Sequence, residues 1–256
     1  MSDLLERLRA GTVELAGRDR ETVRVAPFTA FVDHRRSLKF FSFAVPDVGA
    51  GAEAQAALGP LAQAFAERGR TGRIELVVDL TPDLPAAIEA AGWSLSERIP
   101  IMVCTPDTLV SPPVPEGVEI IVPGADSPDD VVAGWHRTLG VAFGDEKEVE
   151  EAEVQVWRER APTSFYAAAV CDGEVVGTAA GAPIVLGNSE VGAVGTLPAH
   201  RRRGVAGALT ARVAAAGFAA GAERVWLTSA PEAEGIYARA GFSVVGTAAN
   251  YDAPAG

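Results

Sequence analysis

Leu197-Pro-Ala-His-Arg-Arg-Arg-Gly-Val-Ala-Gly-Ala-Leu209 combines residue types that can hold an anion. A strand pattern ends at Leu197 and a helix pattern opens at Gly204, so the turn between them delivers its backbone to a helix N-terminus. The first N–H groups of a helix have no intrahelical acceptor, and together with the helix dipole they attract phosphate. Gly204, Ala206 and Gly207 are small enough for a ligand to approach the main chain, and Arg201, Arg202 and Arg203 add cations. Val205 sits inside the same turn and offers its N–H.

The elements that must position this turn follow from periodicity. Ahead of it, Asp129–Val141 and Asp145–Arg160 read as helices. Ser164–Cys171, Glu174–Ile184 and Glu190–Leu197 read as strands joined by turns such as Asp172-Gly173. Behind it come a helix over Gly204–Ala220, a strand over Arg224–Thr228, a helix over Glu232–Arg239 stopped at Gly241, and a strand over Phe242–Tyr251. Nearer the N-terminus, a first helix precedes strands at Thr22–Phe28 and Lys39–Val45, a helix at Glu53–Arg68, a strand at Arg73–Leu80, a short helix at Pro85–Ala91 and a strand at Glu97–Cys104. Thr105–Gly117 carries Pro106, Pro112, Pro113 and Pro115 and reads as a linker. A meander running into βαβ units predicts an α/β protein with a mixed sheet. The stretches 73–99 and 224–248 repeat one order of strand, short helix, Ala-Gly-aromatic and strand, with Gly92-Trp93 and Gly241-Phe242 in matching places.

Composition limits the partners. The 256 residues are 48 % hydrophobic and 22 % charged, which suits a chain that buries a full core, and the net charge of −12 disfavours nucleic acid and anionic membranes. Exposed charges are screened beyond roughly 8 Å at physiological salt, so the global charge leaves a local arginine cluster free to bind a polyphosphate. Cys104 and Cys171 are the only cysteines and no metal-ligand cluster is visible, which predicts no metal and fits a reducing cytoplasm. No secretory signal or membrane span is expected, and oligomeric state, a homodimer included, stays open.

Two motifs in order resemble the GCN5-related N-acetyltransferase (GNAT) superfamily. Arg201-x-x-Gly204-x-Ala206 fits its acetyl-CoA pyrophosphate motif, and Ile236-Tyr237-Ala-Arg-Ala-Gly241-Phe242 fits its tyrosine helix before a Gly-Phe turn. The resemblance covers about 117–256, with a faint half-copy in 39–104. It implies a degenerate partial GNAT-like domain over 1–110, a linker at 111–116 and a GNAT domain over 117–256. It further implies acetyl-CoA as cosubstrate and a small-molecule or protein amine as acceptor, attacked directly in a ternary complex. By the same resemblance Val194, Gly195 and Thr196 hold the pantetheine and thioester, and Tyr237 protonates the departing thiolate. Glu190, fourteen residues ahead of Gly204, matches a general base. An Asn common after the family's fifth strand is replaced by Thr228-Ser229-Ala230, leaving Ser229 as the candidate cofactor contact there. The domain also ends one strand early, which predicts a replacement strand from the N-terminal half, such as Arg98–Cys104.

Other features compete. Gly49-x-Gly51-x-x-Ala54 matches a dinucleotide fingerprint between a strand and a helix, with Asp79 ending the next strand, the basis of an NAD(P)-dependent oxidoreductase alternative. A non-catalytic acyl-CoA sensor would keep the arginine turn without needing Tyr237 or Glu190. Asp145–Glu153 holds six acidic residues, read either as a solvated face or as an electronegative mouth for a cationic amine.

Overall fold

Small residues at alternate positions let one strand carry helices on both faces. In Phe165–Cys171, Ala167 and Ala169 join one buried cluster and Ala168 another, so each face accepts a helix at close range. The computed structural model describes residues 2–36, 39–144, 148–149 and 151–254. The chain forms two compact units, Met1–Ile101 with Val245–Gly256, and Met102–Val244.

The first unit contains α1 (Ser2–Asp19), β1 (Glu21–Val25), β2 (Phe28–Val32), β3 (Phe43–Pro46), α2 (Gln55–Ala66), β4 (Arg73–Val77), α3 (Leu84–Ala90) and most of β5 (Ser94–Cys104). Its strand order is β1-β2-β3-β4, then the C-terminal strand Ser243–Asp252, then β5. β3 and β4 run parallel around α2. Leu58, Leu61 and Phe65 of α2 pack with Ile74, Leu76, Ile88 and Trp93.

The second unit contains β6 (Glu119–Ile121), α4 (Asp129–Ala142), α5 (Glu151–Arg160), β7 (Phe165–Cys171), β8 (Glu174–Gly181), β9 (Asn188–Thr196), α6 (Val205–Ala219), β10 (Arg224–Thr228) and α7 (Glu234–Arg239). Its strands follow the order β10-β9-β8-β7-β6. Neighbours from β6 to β9 are antiparallel, and β9 runs parallel to β10. Val205, Leu209 and Val213 of α6 pack on one face; Val132 and Trp135 of α4 with Trp157 of α5 pack on the other.

The α/β class and the element order match the sequence pattern, with three differences. Thr22–Phe28 is not one strand: the chain turns at Ala26-Pro27, and the apolar run Phe28–Val32 returns antiparallel to Glu21–Val25. In Lys39–Val45 the first three residues form a helical turn, and the strand is Phe43–Pro46. The expected helix at Asp145–Arg160 is observed as Glu151–Arg160, while 145–147 and Glu150 lie outside the described residues.

The compact units also divide elsewhere than at 111–116. The C-terminal strand pairs with β4 through Ala248–Asp252, which draws 245–256 into the first unit. Met102 and Cys104, at the end of β5, are buried in the core of the second unit. The proline-rich segment lies wholly within that unit.

Candidate active site

β9 and β10 are in register only over Asn188–Glu190 and Arg224–Trp226. The remaining six residues of β9, Val191–Thr196, have no register partner on β10, so the two strands part before the turn that carries the arginines. A bulge lies in this stretch. Ala193 takes a left-handed φ of 51°, and the register with β8 shifts between Thr178 and Ala180. The Thr178 hydroxyl donates to the Ala193 carbonyl at 2.9 Å and pins the bulge.

Past Thr196 the chain turns through Leu197, whose N–H donates to Val176 on β8, and reaches Gly204 at φ 93° as the N-cap of α6. No side chain caps that helix. Among the described residues none accepts from the N–H groups of Val205, Ala206 or Gly207, so the first turn presents its donors as an anion cradle.

The three arginines have separate tasks. Arg201 donates from Nε to the Thr196 carbonyl at 3.0 Å and from Nη2 to the Ala142 carbonyl at 3.3 Å, bracing the end of β9 against the end of α4. Arg203 reaches the Glu116 carbonyl at 3.4 Å and His200 Nδ1 at 3.2 Å. Arg202 adopts a left-handed φ of 60° and is exposed.

Val194 packs partly against the α6-side core, and Gly195 and Thr196 are buried. The Thr196 hydroxyl is a buried polar atom without a partner among the described residues. Such a group is costly unless something supplies a hydrogen bond. An amide-bearing, pyrophosphate-bearing ligand suits this donor set: open helix N–H groups, an unsatisfied hydroxyl beside parted strands, and arginines fixed by carbonyls.

Tyr237 lies on α7 with its ring against Phe242 and is 8 % exposed. Burial pushes its phenol above the ordinary value, which keeps it protonated as a proton donor must be. Glu190 is half-buried on β9. Gly217 of α6 faces both Ser189 and Val225, at 3.8 and 3.4 Å from its Cβ position, so the next pair in register, Glu190 and Trp226, points to the opposite face. Trp226 escaped the sequence reading because a single tryptophan in a short strand carries no face until the register is known.

Ser229 is buried, and its hydroxyl donates to the Ala230 carbonyl at 2.8 Å.

The dinucleotide fingerprint in the first unit is closed. Gly49 N–H donates to Leu80, Ala50 N–H to Asp47, Ala54 N–H to Gly51, and Gly51 N–H to the Glu53 carboxylate at 2.9 Å. A phosphate would meet the Glu53 carboxylate on the Gly51 N–H. Among the described residues no cluster suits a metal ion and no helix is long and apolar enough to cross a membrane.

Parted parallel strands, a bulge and an uncapped helix N-terminus define an acyl-CoA N-acyltransferase fold. Residues 132–242 match the family "Acetyltransferase (GNAT) family". A GCN5-related N-acetyltransferase from Kribbella flavida is similar at 28% identity over 98% of this chain and 96% of that one, with TM-score 0.80. A GCN5-related N-acetyltransferase from Sphaerobacter thermophilus aligns at 21% identity over 89% and 76%, with TM-score 0.64. A tandem GNAT protein from the clavulanic acid biosynthesis pathway shares the fold at 14% identity over 90% and 79%, with TM-score 0.59. Among curated proteins none matches the chain in sequence.

Proposed function

We propose that the chain is an acetyl-CoA-dependent N-acetyltransferase acting on a primary amine of a small molecule or protein. The observation that carries this reading is the parting of β9 from β10 after Glu190 and Trp226, directly ahead of the open first turn of α6. Acetyl-CoA, when bound, supplies an activated acyl thioester; the residues supply binding and proton transfer. The α6 N–H groups with Arg202 and Arg203 receive the pyrophosphate, and Val194, Gly195 and Thr196 line the pantetheine arm.

An acceptor amine is mostly protonated at neutral pH, its ordinary pKa being about 10.4 for a lysine. Glu190, on the face away from α6 and beside Trp226, accepts the amine proton. Tyr237, held neutral by burial, returns a proton to the thiolate. Attack is proposed to be direct: Cys104 is buried against Thr105 and Thr108, and the Ser229 hydroxyl donates to the Ala230 carbonyl, so among the described residues neither is presented as a nucleophile. The first unit is proposed to be a degenerate half-copy of the same fold.

Thiol release from acetyl-CoA, measured against a panel of amines, tests the reading. Release that saturates in one amine supports it. Tight acetyl-CoA binding with no release for any amine would instead make the chain an acyl-CoA sensor. NAD(P) should neither compete nor be turned over.

A further inference from the structure

The proline-rich segment is docked on the second unit. Between Leu109 and Val118 the half-buried residues are Leu109, Pro112, Pro115 and Val118, and the residues between them are exposed. Over Leu109–Pro115 a repeat of three fits a polyproline II strap, with three residues per turn, and Pro115–Val118 ends it in a hydrogen-bonded turn with Gly117 at φ 73°. Leu109 and Val118 pack at its two ends against the α6-side core.

Its anchors fall on the two hallmark motifs. Val110 N–H donates to the Ala240 carbonyl at 3.1 Å. Gly241, at φ 94°, lies so close that a Cβ there would sit 1.8 Å from the Thr108 oxygen. Pro112 Cγ lies 3.6 Å from the Cβ position of Gly207, as does Ile236 of α7, so the ring fills the notch between the two helices. Pro115 Cγ lies 3.9 Å from the Cβ position of Gly204, and the Glu116 carbonyl holds Arg203.

We propose that this strap is the outer wall of the cofactor groove, with Pro112 and Pro115 as positioning residues for the nucleotide end of acetyl-CoA. The inference rests on the proposed acetyl-CoA site. Proline rings have fixed φ, so the wall keeps its shape without an ordering cost on binding, and among the described residues none of its carbonyls accepts from the first α6 N–H groups. Through Glu116 it also fixes the guanidinium of Arg203 beside the cradle before any ligand arrives.

Calorimetric titration of acetyl-CoA into the full chain is the test, using Pro112→Gly with Pro115→Gly, and Pro113→Gly as the outward-facing control. The double variant should weaken acetyl-CoA binding about tenfold through lost stiffness together with the lost ring contacts on Gly207 and Gly204, while the control, which keeps those contacts, should weaken it by clearly less. KM for acetyl-CoA should rise with kcat little changed. Hydrogen exchange at Ser111, Val114 and Glu116 should slow on binding in the unaltered chain. If the double variant melts early, Pro112→Ala alone should give a smaller rise in Kd in the same direction. Unchanged affinity would overturn the wall, and tighter affinity would make the strap a plug instead. No acetyl-CoA binding by the unaltered chain would overturn the site itself, an outcome separable from loss confined to the strap variants.

Discussion

Two strand–turn–helix units, β3–α2 and β9–α6, each follow a strand with a parallel neighbour, and among the described residues they differ in how their turns spend their N–H groups. After β3, the turn at 47–54 closes on itself: Gly49 bonds Leu80, Glu53 takes the Gly51 N–H, and Asp47 pairs with Arg24 and Arg9. After β9, the turn at 197–204 bonds backward to β8 through Leu197, braces itself through Arg201 and leaves the α6 N–H groups without acceptors. Both turns join parallel strands to a helix. Charge and hydrogen-bond satisfaction separate them: the acidic turn bonds the N–H groups of Gly49, Ala50, Gly51 and Ala54, and the basic turn leaves those of Val205, Ala206 and Gly207 without acceptors among the described residues. A turn that can receive an anion is one whose donors are left unspent, and a turn that brings its own carboxylate onto its N–H is less open to one.

The largest effect should come from making the open turn resemble the closed one. Arg203→Glu with Gly204→Glu places carboxylates at the cradle and should abolish acetyl-CoA binding, removing the rise in melting temperature that acetyl-CoA is expected to give the unaltered chain. Tyr237→Phe should come next. Losing a positioned proton donor should lower kcat about a hundredfold with acetyl-CoA affinity nearly unchanged, as single-turnover and equilibrium measurements would separate.

The two Gly-aromatic turns sharpen the contrast on stability. Gly92 and Gly241 both have positive φ, 84° and 94°, but a Cβ on Gly92 meets nothing within 4 Å. Gly92→Ala should cost about 1–2 kcal/mol in urea unfolding, the strain of a left-handed residue. Gly241→Ala should cost more than that, because the strap must also lift from Thr108, and should weaken acetyl-CoA binding as well.

The smallest effect belongs to Glu53. Backbone hydrogen bonding from Gly51 holds its carboxyl below the ordinary carboxylate range. A depressed folded-state pKa gives stability present above the unfolded value and lost as pH falls through the folded one. Glu53→Ala should therefore lower the urea midpoint slightly at neutral pH, lose that difference in acid, and leave acetyl-CoA affinity alone.

The elements around the site were legible because their signals are local. Leu197–Leu209 shows a strand end, a small basic turn and a helix start within thirteen residues, and Gly241-Phe242 marks a helix stop by itself. What escaped depends on partners far away in the chain. Nothing between 243 and 252 says that β4, some 170 residues earlier, is the strand it joins. The prolines of 105–117 suggest a linker, since a three-residue period is invisible to tests for helix or strand; only Gly207 and Gly241, small where the strap presses, reveal a docked segment. Glu190 could be named from its distance to Gly204, whereas the face it shares with Trp226 is a property of register. The bond from the Ser229 hydroxyl to the Ala230 carbonyl likewise depends on a loop conformation that the sequence does not show.

The central claim is that one open turn, at the start of α6, receives acetyl-CoA. Calorimetric titration of the full chain against acetyl-CoA, in parallel with Arg203→Glu/Gly204→Glu and with Gly51→Glu, tests it most directly. The account predicts one site per chain, lost in the first variant and retained in the second. Two sites, or binding that survives the first variant and fails in the second, would contradict it.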